Sequence, residues 1–96
     1  MSHFYDVDVY RHVDEEDGGV WWNAEAGLEN SSVGVEHESS QDVREILNGV
    51  HDDTIEYRRR WPDLRVRLFE GDGQPATEFR AALQAAEITL PKWVAP

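Results

Sequence analysis

The sequence predicts an α+β fold with the element order β-β-β-α-β-α and a four-stranded, mainly antiparallel sheet. Two kinds of pattern predict this class. Four short segments alternate apolar and polar residues with a period of two, which is typical of strands that bury one face. One long segment, and a shorter one after it, repeat apolar residues at the 3.6-residue period of a helix. Because a chain of 96 residues has room for one core, we expect residues 1–96 to form a single domain.

The strands are predicted from the alternation at residues 4–13, 20–26, 32–38 and 64–69. In the first of them, Tyr5, Val7, Val9 and Val13 lie on the face that should be buried, and Arg11 interrupts this face near its end. Residues 14–19 consist of four acids followed by two glycines, a composition that favours a hairpin loop between the first two strands. We therefore expect the first three strands to form an antiparallel meander.

A long helix is predicted over about 40–61, packed on one face of the sheet. Its apolar stripe consists of Val43, Ile46, Leu47, Val50, Tyr57 and Trp61. Ser39 or Ser40 can cap its start. Pro62 ends it, because the residue before a proline avoids helical backbone angles. A helical crossover normally joins parallel strands, so the strand at 64–69 should run parallel to a neighbour.

A shorter helix is predicted over about 76–87, followed by a tail that contains Trp93. The alternation also places several large aromatic residues on the sheet face that lies opposite the long helix. They are Phe4, Tyr10, Trp21 and Phe69. Large aromatic side chains outside a core usually mark an interface. Either the C-terminal helix and Trp93 fold back over that face, or a partner subunit covers it.

The net charge of −11 is unevenly distributed along the chain. Residues 1–57 contain fifteen acids and two bases, whereas residues 58–96 contain five acids and seven bases. The second part includes a basic strip, which consists of Arg58, Arg59, Arg60, Arg65 and Arg67. This strip can bind phosphate, or it can compensate the dipole of the helix C-terminus and pair with acids of the first strand. The negative charge of the whole chain argues against direct nucleic-acid binding.

Several classes of site are excluded or disfavoured by the residue types. The chain has no cysteine, which excludes disulfides, thiolate zinc sites and cysteine nucleophiles. Its four histidines lack metal-binding spacing, and no P-loop or other catalytic motif occurs. We therefore expect no enzyme activity, no cofactor and no metal. No apolar run is long enough to span a bilayer and the N-terminus has no signal-peptide pattern, so we expect a cytoplasmic protein without membrane contact.

One pattern leaves a nuclease open as the weakest alternative. Carboxylates on the outer sheet face could hold divalent metals if they converge. The candidates are Asp6, Asp8, Glu25, Glu36 and Glu38. The other interpretation is a solvated polar face, which antiparallel sheets commonly have.

Four segments together follow a recognisable order: a strand, an acidic turn, an aromatic strand, and a helix opened by small polar residues. They are Phe4–Val9, Asp14–Gly19, Val20–Trp22 and Ser39–Val43. With this order, residues 3–69 resemble the HicB-like antitoxin family, whose N-terminal domain has a partial RNase-H-like fold. Members of that family typically cover the active site of a small RNase toxin, so the resemblance implies protein binding. Many also carry a C-terminal DNA-binding segment, whereas residues 70–96 have room for one helix and a tail.

These observations predict a small acidic protein-binding module. We expect an antitoxin-like or inhibitor subunit that blocks a basic nucleic-acid-handling protein such as a small RNase toxin, and that forms a homodimer to cover its exposed aromatics. The alternative is a nucleic-acid mimic made by a phage or mobile element. The predicted partner-binding residues are Asp14, Glu15, Glu16, Asp17, Trp21, Phe69 and Trp93.

Overall fold

A computed structural model describes residues 3–29, 36–71 and 73–96 of the chain. The elements are β1 (Phe4–Val13), β2 (Val20–Leu28), β3 (Glu36–Ser40), α1 (Val43–Arg60), β4 (Arg65–Phe69) and α2 (Thr77–Ala85). This confirms the predicted α+β class and the order of its elements. The first part of the predicted third strand, at 32–35, lies outside the described residues.

The sheet is mixed and has the strand order β3-β2-β1-β4. The β1–β2 and β2–β3 pairs are antiparallel, while β1 and β4 run parallel with Phe4 opposite Arg65. The parallel direction follows from the chain path, because α1 returns the chain across the sheet before β4 begins. As a result, the N-terminal strand is central and has neighbours on both sides.

Both helices pack on the same face of this sheet, which we call the inner face. From β1, the side chains of Tyr5, Val7 and Val9 are buried on it, as the alternation predicts. The core also takes in the apolar stripe of α1 from Val43 to Val50. Phe79 of α2 is fully buried, and its ring meets Trp22 edge-on at a centroid distance of 5.5 Å.

The helix α1 begins later than predicted, and its N-cap is neither Ser39 nor Ser40. Ser40 is still part of β3, where it lies opposite Trp22, so the helix cannot start until the chain leaves the sheet. Asp42 is the cap, and its Oδ1 accepts a hydrogen bond from the backbone N–H of Arg44 at 2.8 Å. Ser40 supports the cap, since its Oγ accepts from the N–H of Asp42 at 3.0 Å and donates to Glu45 at 2.6 Å.

Each helix also ends slightly earlier than the sequence predicts. In α1, the backbone N–H of Trp61 still donates to the carbonyl of Tyr57 at 2.7 Å, and Pro62 then prevents continuation. In α2, helical geometry stops at Ala85, and Glu87 has a φ of 59°. This left-handed backbone conformation cannot continue a right-handed helix.

The C-terminal helix and tail do not fold back over the face opposite α1. The tail follows β4 instead: Val66 donates its N–H to the carbonyl of Trp93 and accepts from the N–H of Ala95, both at 2.8 Å. The ring of Trp93 lies 5.9 Å from the ring of His51, and the guanidinium of Arg58 lies over it at 5.0 Å. Trp93 therefore packs on α1, and the fold-back arrangement is wrong for this chain.

Candidate protein-binding surface

The sheet face opposite the helices, which we call the outer face, has neither helix nor the C-terminal tail against it. It presents Phe4, Asp6, Asp8, Tyr10, Trp21, Asn23, Glu25, Arg65, Arg67 and Phe69, all of them partly or fully exposed. Because β1 has ten residues, this face extends about 33 Å along the central strand at about 3.3 Å per residue. It is the only sheet face on which large aromatic and charged side chains alternate at the surface of the described chain.

At one end of the outer face, Arg67 is the centre of a compact cluster. Its Nε and Nη2 donate to the two carboxylate oxygens of Asp6 at 2.6 and 2.8 Å, and Nη2 also lies 3.2 Å from Glu29. The guanidinium lies over the ring of Phe4 at 4.1 Å and is 5.7 Å from that of Phe69. The hydrogen bonds to Asp6 raise the pKa of Arg67 above its ordinary value, so the guanidinium stays charged throughout the range of pH in which proteins fold.

This cluster confirms part of the predicted cross-strand pairing. Arg67 pairs with Asp6, which lies opposite it in the parallel register. Arg65 and Asp8 do not form the corresponding pair. Arg65 donates to the carbonyl of Leu64 at 3.0 Å, and Asp8 accepts from the N–H of Gly71 at 3.3 Å. A bidentate pair is more rigid than two separate surface charges, so Phe4 and Phe69 are held beside a fixed cation.

Glu29 is the member of this cluster that the sequence analysis missed. The predicted second strand ends at residue 26, which leaves Glu29 in a loop. In the structure β2 continues to Leu28, opposite Tyr5, and the N–H of Glu29 donates to the carbonyl of Phe4 at 2.9 Å. Extending the antiparallel register of the hairpin by three residues beyond Ala26 would have placed this acid beside Phe4.

At the other end of the outer face, the β1–β2 hairpin continues beyond the cover of the helices. Tyr10 and Val13 are 42% and 43% exposed. Val13 therefore differs from the expectation that it joins the buried face: the inner face at this position has no helix above it. Trp21 lies opposite His12 in this part of the hairpin and is half-buried. The hairpin end thus offers apolar side chains on both of its faces.

The acidic loop at the tip of the hairpin has two kinds of acid. Asp14 and Asp17 hold the turn, because their Oδ1 atoms accept from the N–H groups of Glu16 at 2.8 Å and of Gly19 at 2.7 Å. Gly18 adopts a φ of 73°, which a side chain would resist. Glu15 and Glu16 project from this scaffold and are exposed. The four predicted binding acids are therefore not equivalent, since two of them build the loop and two are presented by it.

The basic strip does not form one continuous surface. Arg58 lies in the last turn of α1, where its charge suits the helix dipole, but it donates to the carbonyl of His51 at 3.2 Å, in the middle of the helix, and also covers Trp93. Arg59 pairs with Glu56 at 2.9 Å, and Arg60 lies over Trp61 at 5.6 Å. Together with the separate positions of Arg65 and Arg67 described above, these contacts divide the strip among different sides of the molecule.

A stacked aromatic pair lies at the base of β1. The ring of His3 stacks on Trp61 at a centroid distance of 4.6 Å, and its Nδ1 lies 3.2 Å from Asp63 Oδ1. Desolvation alone would raise the pKa of the Asp63 carboxyl, but the hydrogen bond with His3 lowers the pKa below its ordinary value of 3.8. This contact ties the start of the chain to the turn before β4.

Of the partner-binding residues predicted from the sequence, those of the hairpin lie near one another. Trp21 and the acidic loop share one end of the molecule, whereas Phe69 lies opposite Asp8, midway along β1, and beside Arg67. Trp93 belongs to neither group because it packs on α1. The binding surface therefore comprises the hairpin end and the Arg67 cluster.

Within the described ranges, no three histidine, aspartate or glutamate side chains are grouped so that they could hold a metal ion. Asp6, one of the carboxylates considered for a nuclease, has both of its oxygens bound to Arg67. None of the helices in the same ranges combines the length and the apolar character that crossing a membrane requires. Comparison with known protein families, with curated proteins and with solved structures finds no match to this chain.

Proposed function

We propose that this chain acts by binding another protein, as an antitoxin-like or inhibitor subunit that blocks a basic nucleic-acid-handling partner such as a small RNase. The observation that carries the proposal is the outer face. Both helices and the tail pack elsewhere, so Phe4, Trp21 and Phe69 stay at the surface. Partly exposed aromatic side chains on one face are typical anchors of protein interfaces.

The charge distribution supports a basic partner. Residues 1–57 carry fifteen acids against two bases, and the acids include the exposed pair Glu15 and Glu16 at the hairpin tip. Charges on a projecting tip act on an approaching partner before the apolar surfaces touch, and they mainly raise the association rate. Trp21 would then slow dissociation, because buried aromatic anchors hold a formed interface. The HicB-like order of elements in residues 3–69 agrees with this role.

The structure permits a sharper test than neutralising all four acids of the loop. Asp14 and Asp17 hold the turn, so replacing them would change the shape of the loop as well as its charge. The double variant Glu15→Gln, Glu16→Gln removes two charges and leaves the turn bonds intact. A matched control is Glu78→Gln, Glu87→Gln, which removes two exposed charges from the helix side.

The experiment uses surface plasmon resonance against a basic RNase encoded beside this chain, at two salt concentrations. We expect the hairpin variant to slow association several-fold more than the control, with little change in dissociation. Trp21→Ala should speed dissociation and leave association nearly unchanged. The association rate should also fall as the salt concentration rises, because charges more than about 10 Å apart are screened at 0.1 M. Equal rates for both charge variants would contradict steering by the hairpin tip.

The same measurements distinguish the alternatives. A nucleic-acid mimic from a phage or mobile element would bind through charge alone, so Trp21→Ala would have no effect on dissociation. A metal-dependent nuclease would cleave RNA without a partner, and Asp6→Asn would abolish that cleavage. For the antitoxin-like role we expect RNA cleavage by the partner to stop at a stoichiometric amount of this chain.

We also propose that the chain forms a homodimer, because two-fold dimers commonly cover exposed apolar surface. The hairpin end and the Arg67 cluster provide such surface without any rearrangement. Light scattering should give twice the mass of the chain at micromolar concentration, and Trp21→Ala should shift the equilibrium towards the monomer. A monomer at all accessible concentrations would contradict this arrangement.

A further inference from the structure

A groove of about 440 Å³ lies at the outer edge of β4, between the turn that follows this strand and the C-terminal tail. Its apolar lining includes Leu68, Phe69, Pro75 and Ala95, and two arginines, Arg67 and Arg80, complete it. This volume falls within the range of about 300–1,000 Å³ that is typical of small-molecule sites. A mostly apolar lining with a few polar groups is also typical of such sites.

The backbone of β4 adds polar groups to this groove. Val66 directs its N–H and carbonyl away from β1, and both bond to the tail. Backbone groups of alternate residues in a strand point to the same side, so Leu68 also directs its N–H and carbonyl outward. Beyond Leu68, the N–H of Glu70 donates to the carbonyl of Gln74 and closes the turn. Phe69 also forms a bridge with Pro75, so the N–H of Leu68 lies between the tail and this turn, and the gap is too short for an added strand.

The charges around the groove favour a ligand with one anionic group. Arg67 is balanced by Asp6 and Glu29 on the outer face. Arg80 is half-buried and donates one hydrogen bond to the carbonyl of Ala95 at 3.1 Å. A guanidinium has five N–H donors and keeps its charge, so Arg80 can also bind an acceptor in the groove. The net charge of −11 disfavours ligands with several negative charges.

We propose that this groove binds a small organic acid with one carboxylate and an apolar body. The carboxylate bonds to the guanidinium of Arg80 and to the N–H of Leu68, and the apolar body lies against Phe69 and Pro75. This site adjoins the Arg67 cluster, with which it shares Arg67 and Phe69, but the groups that bind the carboxylate, Arg80 and Leu68, lie outside the protein-binding surface proposed above. A ligand there would also contact Ala95 and hold the tail on β4.

The test is a titration of the full chain with 3-phenylpropionate, followed by the amide signals in two-dimensional NMR spectra. We expect saturable shifts that are confined to the residues lining the groove. The uncharged amide of the same acid should bind at least about tenfold more weakly, because hydrogen bonds to charged groups are roughly twice as strong as neutral ones. Equal binding of acid and amide, or no saturation at about 10 mM, would overturn the proposal.

Variants at two positions locate the site independently. Arg80→Gln should weaken binding about tenfold or more and Arg80→Lys should restore part of it. Since Arg80 also holds the tail, Ala95→Leu provides a second route: it fills the groove without removing the cation, and it should abolish binding. Arg59→Gln is the matched control, because Arg59 is exposed on α1 and does not line the groove. If a peptide that lacks a carboxylate because its C-terminus is amidated bound as tightly as 3-phenylpropionate, the proposed class of ligand would be refuted.

Discussion

Truncation of Phe79 to alanine tests the position of α2 most directly. Its side chain is fully buried and packs edge-on against Trp22. Removing a buried phenylalanine side chain costs about 3–5 kcal/mol, from lost transfer free energy and from the cavity that remains. Domains of this size have about 5–15 kcal/mol of stability, so Phe79→Ala should remove a large fraction of the total and leave a folded but weakened protein.

The measurement is equilibrium unfolding in urea. With a slope of about 1–1.5 kcal/mol per molar urea for a small domain, the midpoint should fall by about 2–5 M. Phe79→Leu should cost less than about 1.5 kcal/mol because it nearly conserves the buried volume. Gln84→Ala, at an exposed position of the same helix, serves as the control and should change little. A loss below about 1 kcal/mol for Phe79→Ala would mean that α2 does not pack on the inner face, and α2 could then cover the outer face instead.

Three further outcomes follow from individual contacts. Asp42→Ala should destabilise the fold by about 1 kcal/mol in urea unfolding. Asp42→Asn should cost much less, because an asparagine side chain can cap α1 as an aspartate side chain does. A double-mutant cycle of Asp6→Asn and Arg67→Met should give a coupling of about 1 kcal/mol, since the pair is bidentate but one-third exposed; zero coupling would show that the pair is not formed in solution. The pKa of Asp63 is lowered from its ordinary value of 3.8, so the ionised carboxyl stabilises the fold at pH values above 3.8. This contribution is lost as the pH falls below 3.8 and through the lowered pKa. Asp63→Asn should therefore be less stable than the native chain at neutral pH and equally stable in strong acid.

The faces of the sheet could be predicted from the sequence because burial imposes a strict alternation. Tyr5, Val7 and Val9 follow it without exception. The same rule fails at Val13, because alternation says which way a side chain points and does not say how far the covering helices extend. The pairing of Arg67 with Asp6 could be anticipated from a shared face, but the choice of Asp6 over Asp8 depends on the parallel register.

Three features could not be derived from local patterns. The start of α1 depends on Ser40, whose pairing with β2 keeps it in the sheet. The side of the sheet that α2 occupies depends on Phe79 meeting Trp22, a contact between distant parts of the chain. The division of the basic strip has the same origin, because Arg58 is held over Trp93 of the tail and Arg67 is paired with Asp6 of β1. Tertiary contacts decide all three.

The central position of β1 has a consequence for how the protein folds. Its partner β2 follows immediately, so the hairpin can form from local contacts. Its other partner, β4, lies far along the chain: Asp6 and Arg67 are 61 residues apart. Closing so long a loop costs conformational entropy before the pair repays it. We therefore expect the hairpin to form early and the docking of β4 to limit the folding rate, so that substitutions in β4 change the refolding rate more than substitutions at the hairpin tip.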